Sequence, residues 1–183
     1  MRIMFVLALV WGLPLPRAFA QDARGHDHIA VFAGPGLSHI PGSSDFFGGT
    51  TPGENHFAFI GGVEALPFSH VGFQFSVLNT KRNVSNYNGT TFVQSAMGDT
   101  FISGEAVFHL LIRNRVSPFL VLGATRESGV VGGYPSARGG TAGAGAWIRI
   151  APSVALRPEV RVYVVDLLGS NPVVLSVGVV WHR

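Results

Sequence analysis

Hydrophobic and polar positions alternate along most of this chain. From about residue 28 onward, apolar side chains recur at every second position, the period of a strand with two unlike faces. The helical spacing fits poorly, and glycine and proline interrupt every segment. Eight segments read as strands: 28–38, 56–66, 71–78, 100–111, 117–126, 141–150, 154–165 and 173–182. In the third, Val71, Phe73, Phe75 and Val77 oppose Gly72, Gln74 and Ser76. In the fourth, Ile102, Ala106, Phe108 and Leu110 oppose Ser103, Glu105 and His109. The fifth is apolar on both faces. The sixth sets Ala142, Ala144, Ala146, Ile148 and Ile150 against Gly143, Gly145, Trp147 and Arg149. The seventh is the cleanest, with Leu156, Pro158, Val160, Val162 and Val164 against Arg157, Glu159, Arg161 and Tyr163. The last places Leu175, Val177, Val179 and Trp181 on one side. With no helix between them, all neighbouring strands can pair antiparallel.

The connections carry a second signal. Long segments at 39–55, 79–99 and 127–140 alternate with short ones at 67–70, 112–116 and 151–153, and only 166–172 among the long set is brief. One end of the sheet therefore carries loops and the other only turns, an asymmetry found in bacterial outer-membrane barrels. At the tightest turn, Ala151-Pro152-Ser153, a three-residue connection pairs Ile150 with Val154. That register sets Arg149 opposite Ala155, Trp147 opposite Arg157 and Gly145 opposite Glu159, and it predicts Arg157 against the Trp147 ring.

Composition narrows the class. The chain is 47% hydrophobic and 13% charged, which excludes a disordered tail. It has no cysteine, so disulfide scaffolds and Cys-ligated metal centres are excluded. A soluble barrel needs a charged outer face, yet the chain has a single lysine, Lys81, in an expected loop. The charges on the strands, Glu64, Glu105, Arg149, Arg157, Glu159 and Arg161, fall on the faces opposite the apolar ones. Enclosed in a narrow barrel they form a balanced charge network in the lumen, and the apolar faces then meet lipid. Closure leaves no unsatisfied sheet edge in hydrocarbon. The expected fold is thus all-β: an eight-stranded antiparallel up-and-down transmembrane β-barrel.

The first 20 residues read as a cleaved leader. Met1-Arg2 is a short positive start, Ile3 to Leu15 is apolar, and Ala18-Phe19-Ala20 offers the small residues that a signal peptidase inspects. The apolar run is short of the ~20 residues of a spanning helix. Cleavage after Ala20 leaves 21–183 as a single barrel domain, exported and placed in the outer membrane. Removing Arg2 and Arg17 with the leader leaves eleven basic residues against ten acidic ones. No basic signal for nucleic acid survives.

The segments GGVEALPFSHVGFQFSV, SPFLVLGATRE, GGTAGAGAWIRIAPSVALRPEVRVY and VVLSVGVVWH together resemble the small outer-membrane β-barrel family, OmpA-like or opacity-like, over residues 28–183. The order of these motifs is more specific than any one of them. The resemblance implies outer-membrane lipid and the barrel-assembly machinery as partners, with Trp181 as the terminal aromatic of the assembly signal. Members usually end on Phe or Tyr, whereas here His182 and Arg183 follow Trp181.

Other constellations are weaker. His26-Asp27-His28 has metal-ligand chemistry, but a solvated tail explains it. His109 lies four residues from Glu105 on one strand face, with Ser103 and Ser176 as conceivable neighbours, which is the only hint of hydrolase chemistry. Asn83-Val84-Ser85 and Asn88-Gly89-Thr90 match a glycosylation pattern by accident of polar loop composition. No cofactor motif is present. The expectation is a non-enzymatic envelope or surface-recognition protein that binds a surface ligand through its long loops. The alternatives are a narrow pore and a lipid-modifying enzyme.

Overall fold

The computed structural model describes residues 29–44, 50–68, 70–87, 92–111, 115–128, 137–165 and 171–182. The leader and His26-Asp27-His28 lie outside the described residues. Ten strands follow one another: β1 (Ile29–Ile40), β2 (Ser43–Ser44), β3 (Thr50–Thr51), β4 (Glu54–Ala65), β5 (Val71–Tyr87), β6 (Phe92–His109), β7 (Val116–Glu127), β8 (Arg138–Ala151), β9 (Val154–Val165) and β10 (Val173–His182). β2 and β3 form a two-rung ladder by themselves, and the other eight close into a barrel in the order β1-β10-β9-β8-β7-β6-β5-β4. Every neighbouring pair is antiparallel, including the closing pair of β1 with β10. The eight-stranded antiparallel barrel expected from the alternation is the fold.

The faces follow the period. Leu37, Phe57, Leu122 and Leu175 are between 56% and 67% exposed on the outside, while Glu64, Arg157 and Arg161 are at most 1% exposed within. This inverts the arrangement of a soluble barrel. A continuous apolar outer surface finds its counterpart in hydrocarbon rather than in water. Inside, Phe32, Phe119, Val107, Trp147, Ala155 and Val180 pack towards the short-turn end, and Leu78, Phe101, Tyr163, Val165 and Val174 towards the other. Polar side chains occupy the layer between.

Two expectations are corrected. Of the segment 79–99, residues 79–87 and 92–99 are strand rather than loop: β5 and β6 stay paired from Val71↔Phe108 to Tyr87↔Phe92. β5 leaves β4 after Asn79, and the ladder between β6 and β7 begins at Phe101. The hairpin therefore rises beyond the barrel, where no core face imprints an apolar period on its sequence. Likewise β1 and β4 extend into the segment 39–55 as far as the pair Ile40↔Glu54. The second correction is at the tight turn. Ala151, not Ile150, pairs with Val154, leaving Pro152-Ser153 as a two-residue turn. An irregularity between Arg149 and Ala151 absorbs the extra residue. Such bulges keep the side chains beyond them in register, so Arg149↔Ala155 and Gly145↔Glu159 stand as the sequence implies.

Val160 is exposed on the outer face of β9 and Ser128 is exposed just past β7. Val160→Arg is expected to weaken insertion into vesicles by about 2–4 kcal/mol if it lies near the midplane, and Ser128→Arg to leave it unchanged. Urea titration of the folded barrel in phosphatidylcholine vesicles measures both, and equal tolerance would remove the lipid-facing assignment.

Candidate functional site

The lumen is crossed by a closed ring of five side chains. β9 supplies Arg157, Glu159 and Arg161, which period two sets on one face two residues apart. β5 and β6 supply Gln74 and Glu105 from the opposite wall. Arg157 Nε donates to Glu159 Oε2 at 2.9 Å, and Glu159 Oε1 accepts from Arg161 Nε. Arg161 Nη1 donates to Glu105 Oε1 at 2.5 Å and to Ser76 Oγ at 3.0 Å. Gln74 then bridges back, donating to Glu105 Oε2 at 2.5 Å and accepting from Arg157 Nη2 at 2.7 Å. Its two-sided amide, like the Ser76 hydroxyl, can join an acid to a base.

Two further side chains join the ring from below. Glu64, on β4, accepts from Arg157 Nη1 at 3.2 Å, and its other oxygen meets His109 Nε2 at 2.7 Å. Ser76 Oγ also donates to Glu105 Oε2 at 3.1 Å. Every carboxylate oxygen of Glu64, Glu105 and Glu159 thus has a partner. That matters because an ion held away from water is strongly destabilising unless paired and hydrogen-bonded.

Aromatic rings hold the arginine. The Arg157 guanidinium carbon lies 4.1 Å from the Phe32 ring centre and 4.4 Å from that of Phe119. Both distances are within cation–π range. Each ring in turn lies over a glycine of the neighbouring strand. A Cβ on Gly62 would fall 2.7 Å from Phe32 Cζ, and one on Gly145 would fall 2.5 Å from Phe119 Cζ. The same Cβ atoms would also fall 2.3 Å from the Phe75 carbonyl oxygen and 2.6 Å from that of Pro158, so backbone and ring together leave room only for glycine.

The expected contact between Arg157 and Trp147 is therefore replaced by Phe32 and Phe119, which reach Arg157 from β1 and β7. Trp147 instead packs edge-on against His109, with centroids 4.9 Å apart, and stacks on His182 at 5.7 Å. Of the charges assigned to the lumen, Glu64, Glu105, Arg157, Glu159 and Arg161 come together, whereas Arg149 sits half-buried at the turn end of β8, outside the ring. Trp181 faces outward, 49% exposed, beside the inward-facing His182.

The pairing of His109 with Glu105 is also corrected. The nearest carboxylate oxygen to His109 belongs to Glu64, and Ser103 bonds to Thr125 at 2.9 Å. Ser117 Oγ lies 3.5 Å from His109 Nδ1, the outer limit of a hydrogen bond. The imidazole is flanked by Phe119 and Trp147. Gln74, Ser76 and His109 belong to the network although the charge pattern alone does not mark them. A signal for them exists in the sequence, since all three lie on the face that carries Glu105 or its register partner Gln74.

No protein-family model and no curated protein matches the chain. Solved structures do. Neisserial surface protein A (NspA) superposes with a TM-score of 0.63 at 17% identity, over 85% of this chain and 97% of that one. Ail, the attachment invasion locus protein of Yersinia pestis, in complex with the heparin analogue sucrose octasulfate, gives 0.58 at 16%, over 87% and 100%. The outer membrane protein OprG of Pseudomonas aeruginosa gives 0.55 at 10%, over 88% and 100%. At these identities the likeness is one of fold: this chain has the architecture of the small outer-membrane barrels.

Truncation of one ring member leaves its partner's charge buried. Glu159→Ala is expected to cost about 3–5 kcal/mol in a dry lumen and less in a wet one, read by urea titration. Arg157→Ala is expected to behave alike, and planar-bilayer recordings of either variant are expected to show raised conductance. If both variants keep wild-type stability and conductance, the ring does not hold the lumen closed.

Proposed function

We propose that the chain is an integral, non-enzymatic protein of the bacterial outer membrane that supports envelope structure or surface recognition through the parts projecting at its loop end. The observation that carries this reading is the inside-out distribution of polarity around a filled lumen. Apolar side chains face out on every barrel strand, and the ring of Arg157, Glu159, Arg161, Glu105 and Gln74 spans the interior. A transport reading asks for an open path, and eight strands leave room for little beyond side chains. An enzyme reading asks for a reactive group that substrate can reach, whereas His109 and Ser117 are each 4% exposed.

Recognition is favoured over a purely structural role by the β5–β6 hairpin. Its upper rungs, from Thr80↔Asp99 to Tyr87↔Phe92, extend beyond the ladders to β4 and β7. At about 3.3 Å per residue the eight residues 80–87 add roughly 26 Å. Loops and projections on a rigid scaffold are where binding residues concentrate. The fold neighbour Ail carries attachment in its name and is solved with a heparin analogue, which fits such a role. Within this reading Trp181 serves the assembly machinery as the terminal aromatic, and the leader through Ala20 directs export.

The chain has no cysteine, so single-cysteine variants report topology directly. Leu111 is exposed at the short-turn end and Ser128 at the loop end. In intact cells a membrane-impermeant maleimide is expected to label Ser128→Cys and to miss Leu111→Cys. The protein is expected in the outer-membrane fraction and to migrate faster in SDS gels unheated than boiled. Labelling of Leu111→Cys alone would invert the topology, and recovery in a soluble fraction would end the membrane reading.

A further inference from the structure

Arg149 lies outside the ring, and that changes the charge balance of the lumen. Among the described residues of this layer, Glu64, Glu105 and Glu159 bond to the guanidiniums of Arg157 and Arg161 alone. Three carboxylates against two guanidiniums leave one negative charge over. Asp99, the other buried acid facing inward on β6, is set apart from the network by Phe101 and Tyr163. Each oxygen of the three glutamates already has a protein partner, so the balancing cation is to be sought among those partners. They are Arg157, Arg161, Gln74, Ser76 and His109. Only the imidazole among them can pass from neutral to positive.

The surroundings of His109 suit a cation. It is the last residue of β6, buried at the short-turn end, with Nε2 2.7 Å from Glu64 Oε1 and Nδ1 3.5 Å from Ser117 Oγ. An imidazolium donates from both nitrogens, and each here has an oxygen before it. The Trp147 and Phe119 ring centres lie 4.9 and 5.8 Å away, inside the ~6 Å over which an aromatic ring attracts a cation. The neighbouring strand makes room for the pair. A Cβ on Gly72 of β5 would fall 2.8 Å from Glu64 Oε1, so a methyl group there displaces the oxygen that meets His109. The other ionisable groups near His109 come from every side. Arg157 of β9 shares Glu64, Glu105 lies on the same strand, and Arg149 follows Trp147 on the inner face of β8. His182 of β10 stacks on Trp147, Arg115 is exposed in the turn before β7, and His70 Nδ1 donates to the His109 carbonyl at 2.8 Å.

We propose that His109 is held as an imidazolium, the third cation of the lumen network, and that loss of its proton unseals the barrel from the short-turn end. The inference concerns the lumen and goes beyond the surface-recognition reading. With His109 neutral, Glu64 depends on Arg157, which Glu159 also engages. A buried carboxylate short of countercharge is strongly destabilising unless water or another ion reaches it. Glu64 stands near the short-turn end of β4, where water has the least wall to cross. The negative charge left over then selects cations. The lumen is thus sealed on the acid side and passes cations on the alkaline side.

The test compares the full barrel, refolded in phosphatidylcholine, at about pH 6 and about pH 9, which span most of the range in which imidazole changes charge. Stability that depends on the bound proton is present at the lower pH and lost as pH rises. The urea midpoint of wild type is expected to fall across that interval, and cation conductance in planar bilayers to rise severalfold. Glu64→Gln leaves two carboxylates against two guanidiniums, so both readouts are expected to become independent of pH. Gly72→Ala alters no charge and is expected to weaken the dependence, whereas His182→Gln is expected to retain it. In wild type with isotope-labelled histidine, the His109 ring nitrogens are expected to show the imidazolium resonance at the lower pH and the neutral one at the higher. A neutral His109 at about pH 6 overturns the proposal, and this spectrum decides even where a variant fails to fold. Stability and conductance of wild type that ignore pH overturn it too, as does a dependence that survives Glu64→Gln or vanishes only with His182→Gln. A barrel that fails to enter phosphatidylcholine at either pH would instead overturn the membrane reading.

Discussion

The structure depends on one requirement: buried ions in a lumen too narrow for bulk water must satisfy one another. Arg157, Glu159 and Arg161 stand on one strand, and their neighbours in sequence cannot neutralise them all. The ring completes itself by reaching across the barrel to Gln74 and Glu105, and through Arg157 to Glu64. The apolar layers above and below then exclude competing water. Gly62 and Gly145 suit the same arrangement, because a side chain there would meet both the neighbouring backbone and the Phe32 and Phe119 rings that clasp Arg157.

The outside is governed by the opposite rule. There each side chain meets hydrocarbon or its boundary, so alternation becomes strict and charge disappears until the rim. A single pleat serves both environments, since a one-residue slip would exchange them completely. The tight turn between β8 and β9 shows how this is protected. The irregularity between Arg149 and Ala151 is confined to the turn and leaves Gly145↔Glu159 in place, so every charge on β9 still points inward.

Strand faces are legible in the amino-acid order wherever one face is dry and the other polar: β9 and β10 begin and end at the residues the alternation gives. The upper half of the β5–β6 hairpin is not, because a two-stranded ribbon beyond the barrel has no dry face to leave a period. Inside the lumen, register between adjacent strands can be read from a turn, but contacts across the lumen cannot. They depend on how far strand tilt offsets opposite walls, and that is a property of the closed barrel. Hence Arg157 finds Phe32 and Phe119 instead of Trp147, and His109 finds Glu64 instead of Glu105, four residues away on its own strand.

The sequence separation of the ring's members has a consequence for assembly. Gln74 and Arg157 are 83 residues apart, and Arg161 is 56 from Glu105. No hairpin of neighbouring strands contains the whole ring, so local pairing leaves β9 with charges that only the far wall can neutralise. A partly formed sheet lying in lipid would expose those charges to hydrocarbon, whereas the closed barrel hides them. The transition is thereby pushed towards all-or-none: β9 gains its stable place only as β1 meets β10 and the cylinder shuts. Contacts of such long range are slow to form, so closure, rather than the zippering of any one hairpin, sets the pace at which this chain becomes a barrel.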